Sequence, residues 1–204
     1  MRAVVVVATL VELLALVHAT IYGPCREVEV VDVDFSKWEE QLYVNMMTKN
    51  IGQRCSWVDR HLIYKGNETL LGEHYYRIEN GTELNSTVVG TYVSKGYITF
   101  TAEKIPNRQT LFHDYSLDRC YGSILFVCTN DPNFDGRGAV FVESPYPTLP
   151  KRYAKRTREI LEKNGFKIED LMMVDNCNCR NIPNNDRWGR CRHRSIEEYF
   201  STYH

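Results

Sequence analysis

The chain has no excess of charge of either sign: 25 Lys and Arg stand against 26 Asp and Glu, a formal net charge of −1. That balance excludes a general nucleic-acid binder, which needs a basic footprint to meet phosphates. The sequence also lacks a membrane-length apolar run. Its longest, Ala3 to Val17, is short for a span and has no stop-transfer flank. Zinc spacing is missing too, because Cys177-x-Cys179, with Cys191 and His193 beyond it, lacks the two-to-four-residue gap of zinc pairs. His61, His74 and His113 fall on separate predicted strands, with no helical His pair. No nucleophile–base–orienter set is visible; Cys120, beside Arg119, is the one thiol named as a candidate nucleophile. The expectation is a protein with no metal, no cofactor and no catalytic residues.

What is present begins at the N-terminus. Met1-Arg2, an apolar run and the exit Val17-x-Ala19 read as a secretory signal over residues 1–19, with an N-terminal anchor as the alternative. Cleavage after Ala19 removes Arg2 and Glu12, whose charges cancel, so the remainder stays near neutral. That remainder is the size of one domain, residues 20–179, followed by a basic tail, residues 180–204. All 7 cysteines lie in it. In an oxidising compartment they read as a disulfide framework with one thiol left over. Sequons at Asn67, Asn80 and Asn85 cluster in one stretch and predict an exposed, glycosylated hairpin region. The expected location is extracellular.

The middle of the chain is a series of strand signals. Leu42 to Met47 is apolar, and Cys55 to Tyr64 alternates between apolar and polar residues. Lys65-Gly66-Asn67 is a turn, Glu73 to Ile78 is Tyr-rich, and Glu79-Asn80-Gly81 is a hairpin signal. Thr87 to Val93, Gly96 to Ala102, Thr110 to Tyr115, Tyr121 to Cys128 and Ala139 to Val142 follow, with a turn at Asp131 to Gly136. About eight short, evenly spaced strands predict an all-β fold, sandwich or barrel.

One helix follows. Pro147 and Pro150 precede a stripe of Tyr153, Thr157, Ile160 and Leu161, and Asn164-Gly165 supplies the stop. Lys151, Arg152, Lys155, Arg156, Arg158, Glu162 and Lys163 fill the other face. Such a one-sided helix suits the outside of a closed barrel better than a sandwich. Phe166, Ile168, Leu171, Met173 and Val174 predict an extended return to the core.

These residues resemble the lipocalins, above all the apolipoprotein D, insect bilin-binding and crustacyanin branch. Tyr146-Pro147-Thr148-Leu149-Pro150, Asn164-Gly165 and Cys179 match that family's turn, helix stop and strand-end cysteine at matching intervals. Leu117-Asp118-Arg119 with Tyr121 and the run to Cys128 resembles its Thr-Asp-Tyr motif, and Asp34-Phe35-Ser36-Lys37-Trp38 its approach to the first strand. Two family features depart from the pattern, although the second register of the first keeps the tryptophan as Trp38. Gly-x-Trp falls on Glu40-Gln41-Leu42, or in another register on Ser36-Lys37-Trp38, and the Arg that packs over that Trp falls on Pro145. The resemblance therefore implies an eight-stranded up-and-down antiparallel barrel with one C-terminal helix packed outside, and a different plug at the end those residues close. It also implies the bridges Cys25–Cys128 and Cys55–Cys179, with Cys120, Cys177 and Cys191 left open.

The function implied is a secreted carrier of a small hydrophobic ligand such as a retinoid, bilin, carotenoid, sterol or fatty acid. A protein-interaction or defence factor with a filled barrel is the alternative, and a thiol-dependent isomerase a more distant one. Strand parity nominates Tyr43, Trp57, Tyr64, Tyr76, Tyr92, Phe100, Phe112 and Phe126 as lining residues. The expected partners are that ligand, with no nucleic acid and no integral membrane segment; a receptor or homodimer is unspecified. The tail, with Arg187, Arg190, Arg192 and Arg194, is expected to be a solvated extension tied by one disulfide, with a short amphipathic helix over Ser195 to Tyr203 as an option.

Overall fold

The computed structural model describes residues 27–31, 40–49, 53–79, 81–94, 96–102, 105–114, 122–128, 138–177, 179 and 194–201, with backbone alone over 101–114. The signal segment, Trp38, Asn80, Asp118, Cys120, the turn at Asp131 to Gly136, Cys25 and Cys191 lie outside the described residues.

Nine strands form one antiparallel sheet: β1 Glu40–Thr48, β2 Gln53–Lys65, β3 Glu68–Glu79, β4 Thr82–Ser94, β5 Tyr97–Ala102, β6 Ile105–Asp114, β7 Ser123–Cys128, β8 Ala139–Ser144 and β9 Leu171–Met173. Each of the first seven pairs with the next in sequence. β1 then pairs with β8 along one edge (Tyr43 opposite Ser144) and with β2 along the other (Tyr43 opposite Trp57), which closes the barrel. β2 leaves that second edge beyond Tyr43, and β9 takes its place, pairing Met46 to Thr48 with Met173 to Leu171. The barrel, rather than the sandwich, is the outcome.

β3 and β4 each start five residues earlier than the hydrophobic pattern predicts. The early part of β4 is mostly polar and exposed, as at Thr82, Glu83 and Asn85, and β3 opens on exposed Glu68 and Thr69 before the apolar pair Leu70-Leu71. Ladder bonds come from the backbone, so a polar stretch pairs as well as an apolar one, but leaves no hydrophobic trace. Gly66 turns the first hairpin at φ 62°, a conformation that costs a Cβ-bearing residue about 1 kcal/mol.

The helix stands where its stripe places it. A 3-10 turn over Lys151–Tyr153 leads into α1, Ala154–Lys163, and Gly165 ends it at φ 73°. Its buried residues, Ala154, Thr157, Ile160 and Leu161, belong to a layer with Met46, Ile124, Phe126, Val140 and Val142 on the outer barrel wall. The return segment is less extended than predicted: Ile168–Asp170 makes one 3-10 turn before β9.

The end of the tail differs from the expected solvated extension. Ile196–Phe200 forms a short helix, α2, with Ile196, Tyr199 and Phe200 buried in the same layer. Three apolar residues at helical spacing are enough to anchor it, and the Tyr199 hydroxyl donates to the Pro150 carbonyl at 3.1 Å.

Cys55 and Cys179 are disulfide-bonded. Cys55 sits in a bulge of β2 at φ 51°, a strained value for a non-glycine residue. Its N–H donates to the Asp175 carbonyl at 2.9 Å, and the next N–H, of Ser56, donates to Asn176 Oδ1 at 2.9 Å. The Asn176 amide in turn donates to the Val44 carbonyl at 2.8 Å, so one side chain ties the C-terminal strap to β1 and β2. Cys128 and Cys177 are also disulfide-bonded, to partners outside the described residues.

Candidate functional site

Pleat parity divides the barrel wall into two faces. On β7, Ile124, Phe126 and Cys128 face the helix layer, whereas Leu125 and Val127 join Leu71, Ile98 and Phe100 inside. Leu62, Val88 and Phe141 pack against that inner cluster. Gly90 is part of its construction. A Cβ there would lie 2.6 Å from the Phe100 ring and 2.9 Å from Ile98, so a glycine is needed for the ring to cover the strand.

Beside the apolar cluster, the same inner face carries charge. Arg60 on β2 donates from Nε to Glu73 Oε1 on β3 at 3.0 Å and from Nη2 to Glu143 Oε2 on β8. Ser123 on β7 donates to the same Glu143 oxygen at 2.9 Å, and the Tyr75 hydroxyl donates to Glu73 Oε2. Arg60 is 3 % exposed, Glu73 1 % and Glu143 0 %. The group lies toward the barrel end where β1 begins, since Arg60 pairs with Glu40, the first residue of β1. The resembling family's Arg falls on Pro145 in this chain and Trp38 lies outside the described residues, so this charged group is what the described residues place at that end.

Two carboxylates around one guanidinium leave an excess of negative charge in a desolvated space. Burial pushes the Glu73 carboxyl up to about 7; Arg60 opposes the rise, Glu143 adds to it, and the Tyr75 and Arg60 hydrogen bonds oppose it. The Tyr75 phenol is raised well above its ordinary value, first by burial and then by the Glu73 and Glu143 charges, although the residue as a whole is only half-buried. Glu143 Oε1 is fully enclosed and accepts no hydrogen bond among the described residues.

The sequence-nominated aromatics are dispersed. Phe100 lies in the inner cluster. Phe112 pairs with Leu125 across β6 and β7, and its side chain lies outside the described residues. Tyr92, opposite Ile98, is 43 % exposed, and Tyr64, at the end of β2, is 71 % exposed. Trp57 and Tyr76 stack on each other at 5.8 Å, on the face opposite Val58 and Tyr75. Tyr43 pairs with Trp57 in the ladder and is buried, which raises its phenol. Phe126 packs at 5.3 Å from Phe166, in the layer under the helix.

Arg60, Glu73, Tyr75, Ser123 and Glu143 were not among the nominated residues. A signal for two of them exists: Arg60 falls between Val58 and Leu62, and Glu73 two residues after Leu71, so both interrupt an apolar inward series. Asn67 is exposed in the first hairpin turn, and Asn85 is exposed on β4. Among the described residues no helix is long and apolar enough to cross a membrane, and no His, Cys, Asp and Glu side chains group to hold a metal.

No protein-family model matches the chain, and no curated protein matches its sequence. Solved structures do match in shape. The cockroach major allergen Per a 4 is 14% identical, with 76% of this chain and 95% of that chain covered and a TM-score of 0.58. Insecticyanin from the tobacco hornworm Manduca sexta is 14% identical, covers 75% of this chain and 86% of its own, and has a TM-score of 0.56. The possum milk whey lipocalin trichosurin, solved with bound 4-ethylphenol, is 9% identical, with coverages of 69% and 99% and a TM-score of 0.52.

Proposed function

We propose that this chain, a divergent protein of lipocalin fold, is a secreted, non-enzymatic carrier of a small, mainly apolar molecule that ends in a hydrogen-bond donor. The observation that carries the reading is the enclosed Glu143 Oε1, without a hydrogen-bond partner among the described residues, beside the inner cluster of Leu71, Ile98, Phe100, Leu125 and Val127. An apolar body suits the cluster, and a hydroxyl or amine suits the lone carboxylate oxygen, whose burial without a partner costs about 1–3 kcal/mol. A carboxylate headgroup would meet like charge, which disfavours a fatty acid among the candidate ligands. The 4-ethylphenol in trichosurin, an apolar ring with one hydroxyl, is a molecule of this kind.

The test is displacement of a hydrophobic fluorescent probe by decanol, decylamine and decanoate, which share one body. Decanol or decylamine should compete about tenfold better than decanoate, and Glu143→Gln should shrink that gap. Native mass measurement on the secreted protein looks for a retained ligand. A second reading has one observation in its favour: the Arg60 side chain reaches past β1 on the inner face to Glu143 on β8, and so fills part of the interior. Failure of every probe to enter would support that interaction role and remove the carrier.

A further inference from the structure

The edge of β4 is built differently from the rest of the barrel. β4 pairs with β3 along Thr82 to Gly90, but its pairing with β5 starts only at Val89, opposite Thr101. Thr82 to Val88 therefore presents an edge with no strand beside it among the described residues. Seven residues of open ladder, about 23 Å long, are a template for another strand. Proteins usually guard such edges with lysine, proline, a bulge or brevity. This stretch, Thr-Glu-Leu-Asn-Ser-Thr-Val, has no Lys and no Pro, its one charge is Glu83 near the start, and the irregularity of the β4–β5 ladder lies further on, between Tyr92 and Ser94.

A second copy fits this edge. Antiparallel self-pairing about a two-fold axis through Asn85 would set Leu84 against Ser86 and Glu83 against Thr87, with no like charges opposed. At the centre stands Asn85-Ser86-Thr87, with Asn85 exposed and opposite Tyr76 in the ladder.

We propose that Asn85 carries an N-linked glycan and that this glycan keeps two copies of the chain from joining edge to edge. The reading rests on passage through the secretory route. There the Asn85 amide nitrogen attacks C1 of a lipid-pyrophosphate-linked oligosaccharide. The N–C1 bond forms, the C1–O bond to the pyrophosphate breaks, the lipid pyrophosphate leaves, and the amide gives up one proton. A branched, hydrated glycan at the two-fold centre would clash with its own copy.

The test is expression of the full chain in secreting eukaryotic cells. Site occupancy is read by peptide mass, and solution mass by light scattering over a concentration series. Asn85 should be occupied and the glycoprotein monomeric. Asn85→Gln should double the mass as concentration rises, whereas Asn67→Gln, at the turn, should not. Asn85→Lys, which opposes two cations across the axis, should restore the monomer without a glycan. Occupied Asn67 with bare Asn85 would overturn the proposal and leave secretion standing. No occupied sequon would overturn both. An Asn85→Gln chain that stays monomeric, or an Asn85→Lys chain that dimerises equally, would overturn the protective role.

Discussion

Strand β7 is buried on both sides, yet its two faces meet different surroundings. Outward, Ile124, Phe126 and Cys128 meet a layer of aliphatic and aromatic side chains from α1, α2 and the strap. Inward, Leu125 and Val127 share their face with Ser123, which touches a buried Glu143 tied to Arg60. The outer layer is a place where shape and area hold the helix on. The inner face spends stability on buried charge, which apolar residues of the same volume would not. The difference separates a layer held by shape from a face held by matched charges.

The comparison breaks most sharply at Arg60. Arg60→Met leaves two enclosed carboxylates without their cation and should cost about 3–5 kcal/mol in urea unfolding at pH 7.5, with a smaller loss at pH 5. Leu161→Ala cuts into the outer layer, where Leu161 is fully buried, and should cost about 3 kcal/mol by the same measurement. Its loss should be equal at the two pH values, since no titrating group is touched.

Glu73→Gln sharpens the contrast. The Glu73 carboxyl is held up near 7 against an ordinary 4.5, so the folded chain keeps a proton that the unfolded chain releases between those values. The wild-type protein should therefore lose stability as pH rises from 4.5 to 7, by up to about 3 kcal/mol from this group alone. The decline should vanish in Glu73→Gln and persist in Leu161→Ala, read from urea midpoints across that range. The smallest effect belongs to Ser195→Ala. It removes the acceptor that caps α2 through the Glu198 N–H at 3.1 Å and should cost about 1 kcal/mol or less.

The outer layer was legible in the sequence because its signal is periodic. Tyr153, Thr157, Ile160 and Leu161 announce a helix face, and all four are buried. The strand count and the Cys55–Cys179 bridge followed from pattern and resemblance. The inner site was not legible. Its chemistry depends on which residues of β2, β3, β7 and β8 meet on the inner face around β1, and that is set by register and closure rather than by any one strand. Aromatic identity was a poor guide, because parity on an isolated strand does not say which face turns inward. Trp57, Tyr76 and Phe126 all lie on the face that turns outward or toward the helix. A charge interrupting an apolar inward series was the better clue, at Arg60 and Glu73.

The Cys55–Cys179 bridge links residues 124 positions apart, and between them lie all of β3 to β9 and the helix α1. A protease that cuts any single loop in that interval therefore produces no separate fragments under oxidising conditions. The two pieces stay joined as one covalent object. Outside a cell, where enzymes attack exposed turns first, damage of this kind would remain hidden until a reductant arrived.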